Sequence, residues 1–210
     1  MKDIVIIGSG GFAKEVVFLI EECNKTEKEW NILGFIDEEK DLIIGKHKVY
    51  ETDEWLLNLN KEIYVVFGIG NPTLIKEIHL KLEINSNLIF PNIIHPNVVG
   101  DWEGIELGKG NLFCASNTLT TGIKIGDFNI FNLDCTIGHD SIFGSYNVIN
   151  PSANISGGVE IADNVLIGTN VTILQYKKIF SNVIVGASSL VTKDIVEEGV
   201  YVGSPVVKIK

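Results

Sequence analysis

Residues 137–172 read IGHDSI-FGSYNV-INPSAN-ISGGVE-IADNVL-IGTNVT, and every block of six opens on a large apolar residue. The comb runs outward in both directions without a miss. Its fifteen steps are Leu107, Phe113, Leu119, Ile125, Phe131, Ile137, Phe143, Ile149, Ile155, Ile161, Ile167, Ile173, Ile179, Val185 and Val191. A helix cannot produce it, because six is not a multiple of 3.6, and a half-buried strand alternates every second residue. A sixth-residue period is the signature of a parallel β-helix, in which short strands wind around a triangular prism, three hexads to a coil. The residue after each comb tooth is small or polar almost throughout, as in Gly108, Cys114, Gly126, Asn132, Gly138, Gly144, Gly168 and Gly186. Such residues are expected at corners where the backbone bends.

The residues ahead of the comb follow a different pattern. Asp3-Ile4-Val5-Ile6-Ile7 is an apolar run closed by Gly8-Ser9-Gly10-Gly11, and Phe12 to Glu22 has helical spacing. Further strands are expected at 32–36, 63–67 and 87–90, with helices at 53–57 and, behind Pro72, at 73–82. This alternation predicts a small, mostly parallel sheet covered by helices. The chain is therefore divided into an α/β, Rossmann-like region, 1–94, and a β-helix, 95–210, with Pro91 and Pro96 bracketing the passage.

Bulk properties narrow the function. A net charge of −10 argues against a general nucleic-acid binder, whose affinity rests on neutralising phosphates. No run approaches the ~20 apolar residues needed to span a bilayer, so no membrane insertion is expected. Met1-Lys2-Asp3-Ile4 leads straight into a strand, which predicts no signal peptide and a cytoplasmic protein. Cys23, Cys114 and Cys135 lack metal-ligand spacing and are expected to pack as small residues in a reducing compartment.

Two motifs carry chemistry. Gly8-x-Gly10-x-x-Ala13 between a strand and a helix fits the dinucleotide-binding pattern, in which glycines let the backbone approach a diphosphate and the helix N-terminus supplies amides. Asp37, at the end of the second strand, is placed to take a ribose hydroxyl, and Glu38 follows it. A glycine turn that only lets helix and strand pack is the plain alternative. With only about 90 residues before the comb, there is no room for the substrate domain of a dehydrogenase. The second motif is Ile137-Gly138-His139-Asp140, which holds the one histidine within the hexads. An imidazole on a rigid, largely uncharged scaffold is a candidate general base, with the adjacent carboxylate to hold it. His47 and His79 are expected at the surface, and His95 as a structural residue at the join.

Over its whole length the chain resembles the two-domain bacterial hexapeptide acyltransferases that acetylate nucleotide-linked amino sugars, together with their sialic-acid O-acetyltransferase relatives. The residues that carry the resemblance are Val5 to Gly11, Phe35-Ile36-Asp37-Glu38, Gly68-Ile69-Gly70-Asn71, Ile94-His95-Pro96, Ile137 to Asp140 and Gly199 to Pro205. It implies a left-handed β-helix, a homotrimer with sites between neighbouring prisms, acetyl-CoA as co-substrate, no metal, and a role in glycan biosynthesis. It also implies that Gly10, Gly11, Phe12, Asp37 and Glu38 line the pocket for a UDP- or GDP-linked 4-amino sugar. His139 is then the general base, Asp140 its acidic partner and Asn132 a sugar contact. Gly157 binds the thioester carbonyl through its amide. Gly168, Thr169, Gly186 and Ala187 line the coenzyme A channel, and Lys208 meets its phosphates.

Departures are visible. Phe12 and Val148 stand where some relatives carry histidines, and Pro205-Val206 replaces the usual Pro-Ala. A sugar or sialic-acid O-acetyltransferase and a non-catalytic β-helix assembly module are the competing readings. A three-histidine zinc enzyme lacks its ligands, because only His139 lies in the coils. Cys114 and Cys135, as nominal nucleophiles, have no neighbouring histidine in sequence.

Overall fold

The computed structural model describes residues 1–38 and 43–210, which separate into two compact units, 1–96 and 97–210. The first unit is a six-stranded sheet with three helices. Its elements are β1 (Lys2–Ile7), α1 (Gly11–Thr26), β2 (Trp30–Ile36), β3 (Ile43–Ile44), β4 (His47–Glu51), α2 (Asp53–Leu57), β5 (Ile63–Phe67), α3 (Pro72–Leu82) and β6 (Leu88–Ile89). The strand order is β3-β4-β2-β1-β5-β6. All neighbours are parallel except β3 and β4, which pair antiparallel.

β1 is central, and Ile4, Val5, Ile6 and Ile7 are buried, as a strand covered on both faces requires. From β1 the chain passes through α1 to β2 on one side, and β5 lies on the other. The C-terminal end of β1 is therefore a topological switch point, where open α/β sheets form their ligand crevice.

The β3–β4 hairpin does not appear among the elements expected from sequence. Ile43-Ile44 is too short to show a period, and the turn rests on a single positive-φ residue, Gly45 (φ 61°). Two histidines also differ from expectation. His79, expected at the surface, lies on the buried face of α3 with Ile75 and Leu82, its ring edge-on to Phe90 at 5.2 Å. His47 is also largely covered, its ring perpendicular to Phe35.

The second unit is a left-handed parallel β-helix. Two-residue strands stack into three sheets, and strands that pair are 18 residues apart, three hexads, as in Leu112↔Ile130, Thr118↔Thr136 and Lys124↔Ile142. Every comb residue from Phe113 to Val191 is buried, while Leu107, at the open end, is half-buried. Each buried large aliphatic side chain of the column contributes roughly 1.5–3 kcal/mol to coiling.

The residues two before the comb teeth also point inward. Among them Asn111, Asn129 and Asn147 form a polar ladder, with Asn111 Oδ1 accepting the Asn129 N–H (2.8 Å) and Asn129 Oδ1 accepting the Asn147 N–H (3.0 Å).

The corners correct the sequence expectation. The sharp bend falls three residues after each tooth, where the backbone is left-handed: Asp134 (φ 60°), Asp140 (58°), Asn164 (60°), Asn170 (57°) and Gly158 (66°) are examples. Asn, Asp and Gly tolerate that region best. The small residue directly after the tooth is needed for a different reason. Coils stack so closely there that a Cβ on Gly126 would meet Gly144 O at 2.6 Å, and one on Gly108 would meet Gly126 O at 2.6 Å.

Candidate functional site

In the first unit, the strand ends gather Gly8 to Gly11, Asp37 and Gly68 at the switch point. Gly8 has φ 93° and donates its N–H to Ile36 O, and Gly68 donates to Ile7 O, so the three loops are tied together. The glycines divide into two kinds. A Cβ on Gly68 would meet Ala13 Cβ at 2.7 Å and Ile6 Cγ2 at 2.8 Å, so Gly68 and Ala13 exist to let α1 lie against the sheet. A Cβ on Gly10 or Gly11 would meet nothing within 4 Å. Packing therefore does not require these two glycines.

The first turn of α1 holds no acidic residue, and Gly10 at its N-cap offers no side chain to the free amides, an arrangement suited to an anion. Asp37 is half-buried and accepts from Ser9 Oγ at 2.5 Å, which couples the glycine turn to β2. Glu38 is exposed and Phe12 half-buried.

Sequence reasoning missed a neighbouring cavity of ≈ 340 Å³ lined by Lys14, Val17, Glu21, Phe35, Gly45, Lys46 and His47. None of the expected pocket residues lines it. Its hairpin wall carried no readable sequence signal.

In the β-helix, His139 and Asp140 follow Ile137 on one edge of the prism. Asp140 takes the left-handed position, which turns its carboxylate back over the coil before it, where a Cβ on Gly122 would be 2.7 Å from Oδ1. Asp140 Oδ2 lies 2.7 Å from His139 Nδ1. That contact makes Nδ1 the protonated nitrogen and leaves Nε2 with its lone pair free. The imidazole is half exposed and leans the other way along the edge, over Gly157 in the next coil. A Cβ at 157 would sit 2.5 Å from Nε2 and 2.8 Å from Cε1. Bare backbone is therefore required below the ring. The Gly157 N–H donates to no group among the described residues, so a hydrogen-bond donor stands open beside a proton acceptor.

Asn132, Gly168, Thr169, Gly186 and Ala187 stand on a different edge, the one that follows Phe131, Ile167 and Val185. Thr169 and Ala187 are exposed, 18 residues apart and stacked. Asn132 is buried, and its Oδ1 accepts the N–H of Leu133 at 2.7 Å. The prism thus brings His139, Asp140 and Gly157 together and keeps the other five apart from them. Lys208 pairs with Glu197 (3.0 Å) at the surface, a contact that raises its pKa and leaves it exchangeable with another anion.

Burial pushes the Cys135 thiol up to about 12 and the Cys23 thiol to about 11, so neither supplies a thiolate near neutral pH. Among the described residues, no three His, Cys, Asp or Glu side chains converge as a metal-binding group, and no helix is long and apolar enough to cross a membrane.

Residues 3–82 match the PglD N-terminal domain family. That match lies within the first unit, and the hexapeptide repeats follow it. Solved structures share the whole two-part fold. The acetyltransferase domain of PglB from Neisseria gonorrhoeae FA1090 is 24% identical, with a TM-score of 0.90 and 100% of both chains covered. A mutant of perosamine N-acetyltransferase from Caulobacter crescentus, in complex with CoA and GDP-perosamine, is 23% identical, with a TM-score of 0.91, covering 100% of this chain and 98% of that one. WeeI from Acinetobacter baumannii AYE is 25% identical, with a TM-score of 0.86 and 100% of both chains covered. No curated protein matches the chain.

Proposed function

We propose that this chain is an acetyltransferase that moves the acetyl group of acetyl-CoA onto the amino group of a UDP- or GDP-linked 4-amino-deoxysugar. The observation that carries the proposal is the pairing of a free Nε2 on His139, oriented through Nδ1 by Asp140, with the open amide of Gly157 immediately beside it. The fold shared with the PglB acetyltransferase domain and with perosamine N-acetyltransferase supports it.

The chemistry follows from those atoms. The sugar amine attacks the thioester carbonyl carbon and loses a proton to His139 Nε2. Negative charge grows on the carbonyl oxygen, where the Gly157 N–H stabilises it. The C–S bond then breaks, the thiolate of CoA leaves, and the imidazolium returns the proton to it. Asp140 stabilises the imidazolium while it lasts. Transfer is direct, with no acyl-enzyme and no metal.

The glycine-turn unit holds the nucleotide end, with Gly10, Gly11 and Phe12 at the diphosphate side and Asp37 and Glu38 at the ribose side. Asn132 contacts the sugar, and Thr169, Ala187, Gly168, Gly186 and Lys208 hold coenzyme A. Because the CoA and histidine edges differ, we place each site between the His139 edge of one prism and the Thr169 edge of the next, in a homotrimer.

Thiol release from acetyl-CoA with a panel of nucleotide-linked 4-amino sugars tests the reading. One sugar is expected to be acetylated on nitrogen, and His139→Ala to lower kcat by ~10²–10⁴-fold. Turnover of His139→Ala within a few-fold of wild type overturns the mechanism. Acetylation of a hydroxyl would move the acceptor to oxygen, and failure to bind any sugar or CoA would leave an assembly module.

A further inference from the structure

The interior of the prism holds a buried hydroxyl directly beneath the His139 edge. Ser141 is fully buried, and so are the residues at the same place one coil before and one coil after it, Ile123 and Val159. An aliphatic side chain therefore fits this column, and packing alone does not call for a serine. Of the three, Ser141 alone carries a hydrogen-bond donor.

The hydroxyl faces two carbonyls. Ser141 Oγ donates to Gly138 O at 2.9 Å, with Ser156 O at 3.3 Å as a second acceptor. Among the described residues no other group donates to either oxygen. Both belong to peptides of the site. Gly138 O sits on the peptide that leads into His139, and Ser156 O on the peptide whose nitrogen is that of Gly157. A trans peptide is planar, with its C=O and N–H pointing in opposite directions. Holding the Ser156 oxygen inside the prism therefore turns the Gly157 N–H outward, where it meets no protein acceptor among the described residues. Interior asparagines satisfy corner carbonyls on another edge, as Asn129 Nδ2 does for Gly144 O. Beneath the His139 edge, the donor stands between the corner of the imidazole and the corner of the open amide.

We propose that Ser141 is a positioning residue for acetyl transfer, which ties the His139 corner to the Gly157 corner from inside the prism. The inference rests on the acetyl-transfer reading of the site. Without the hydroxyl both carbonyls lose their partner, and a buried carbonyl left unpaired is driven to turn toward another donor. Rotation of the Ser156–Gly157 peptide takes the N–H off the line to the thioester oxygen, and stabilisation of that oxygen depends on the aim of a fixed donor.

The test compares Ser141→Thr with Ser141→Val, two side chains of the same shape that differ by the hydroxyl. Val159 shows that a valine is accommodated in this column. With acetyl-CoA and the amino sugar that wild type acetylates, kcat of Ser141→Thr is expected to exceed that of Ser141→Val about tenfold, short of the ~10²–10³-fold lost when an oxyanion donor is removed outright. KM for acetyl-CoA is expected to be the same in both, the pattern of an interaction made in the transition state. Without substrate, the Gly157 amide signal in a ¹H–¹⁵N spectrum should keep its wild-type position in Ser141→Thr and move in Ser141→Val. Equal kcat in the two variants, or an unmoved Gly157 signal in Ser141→Val, overturns the inference while acetyl transfer by wild type stands. A wild-type protein that acetylates no sugar overturns the functional reading, and the role of Ser141 in transfer with it.

Discussion

The imidazole of His139 rests over the bare backbone of Gly157, its Nε2 2.5 Å from the point a Cβ there would occupy. Position 157 is therefore glycine because the side chain one coil earlier has taken its space. The proton acceptor and the amide donor that the proposed transfer needs are neighbours for that reason.

Gly157→Ala is expected to push the imidazole off the shelf and lower kcat by about 10²-fold, the low end of a general base's contribution. The comb residues are untouched, so the thermal unfolding midpoint should stay within a few degrees. Steady-state kinetics alongside a circular dichroism melt checks both. Loss of activity together with loss of fold would mean that the glycine serves packing alone.

The two kinds of glycine in the first unit separate binding from stability. Gly68→Ala places a methyl 2.7 Å from Ala13 Cβ and should cost about 1–3 kcal/mol by forcing α1 off the sheet. Gly10→Ala meets no protein atom within 4 Å and Gly10 has φ −76°, so stability should stay within ~0.5 kcal/mol. Its methyl would occupy the space of the proposed diphosphate, and calorimetric titration with UDP- and GDP-sugars should show affinity at least about tenfold weaker. Unchanged affinity would remove the glycine turn from the site.

The buried Cys135 and the half-buried Cys23 set an alkaline limit to stability. Cys135 has its folded-state pKa raised from the ordinary 9.0 to about 12, and Cys23 to about 11, both by desolvation. Below pH 9 the thiol is neutral in both states and contributes no pH dependence. Above pH 9 the unfolded chain loses the proton first, so it binds fewer protons than the native state and stability falls as pH rises. For Cys135 the slope approaches about 1.4 kcal/mol per pH unit between pH 9 and its folded pKa, and for the half-buried Cys23 solvent screening makes it smaller. Urea unfolding between pH 8 and 11 should show the decline, and Cys135→Ala should flatten it.

The asparagine ladder is a third stabilising feature. Asn129 is fully buried, its Nδ2 donates to Gly144 O (2.9 Å) and its Oδ1 accepts the Asn147 N–H. Asn129→Ala strands a buried amide and a buried carbonyl, which should cost about 1–3 kcal/mol in urea denaturation. An equal stability would mean that water replaces the side chain inside the prism.

The hexads were legible because their constraint is local and repeated. Each comb tooth must be apolar since the prism has one interior, and fourteen of the fifteen are buried. His139 was legible for the same reason, since its register two residues after Ile137 already placed it on an edge. The β3–β4 hairpin was not, because two isoleucines and one glycine carry no period. His79 was misplaced because α3 presents a polar residue to its core, where its ring packs edge-on to Phe90.

The amino-acid sequence by itself determined the coil length, the inward column, the glycine turn at the head of α1 and the single histidine of the hexads. These are set by chain-neighbour spacing and by steric limits on single residues, which a sequence records directly. The tertiary structure alone decided what each glycine is for. Gly157 and Gly158 are bare because rings from the coils on either side fill their space, while Gly68 is bare to seat a helix, and Gly10 and Gly11 face open space. Those distinctions depend on contacts across 18 residues or more, where side chains meet only after the chain has coiled.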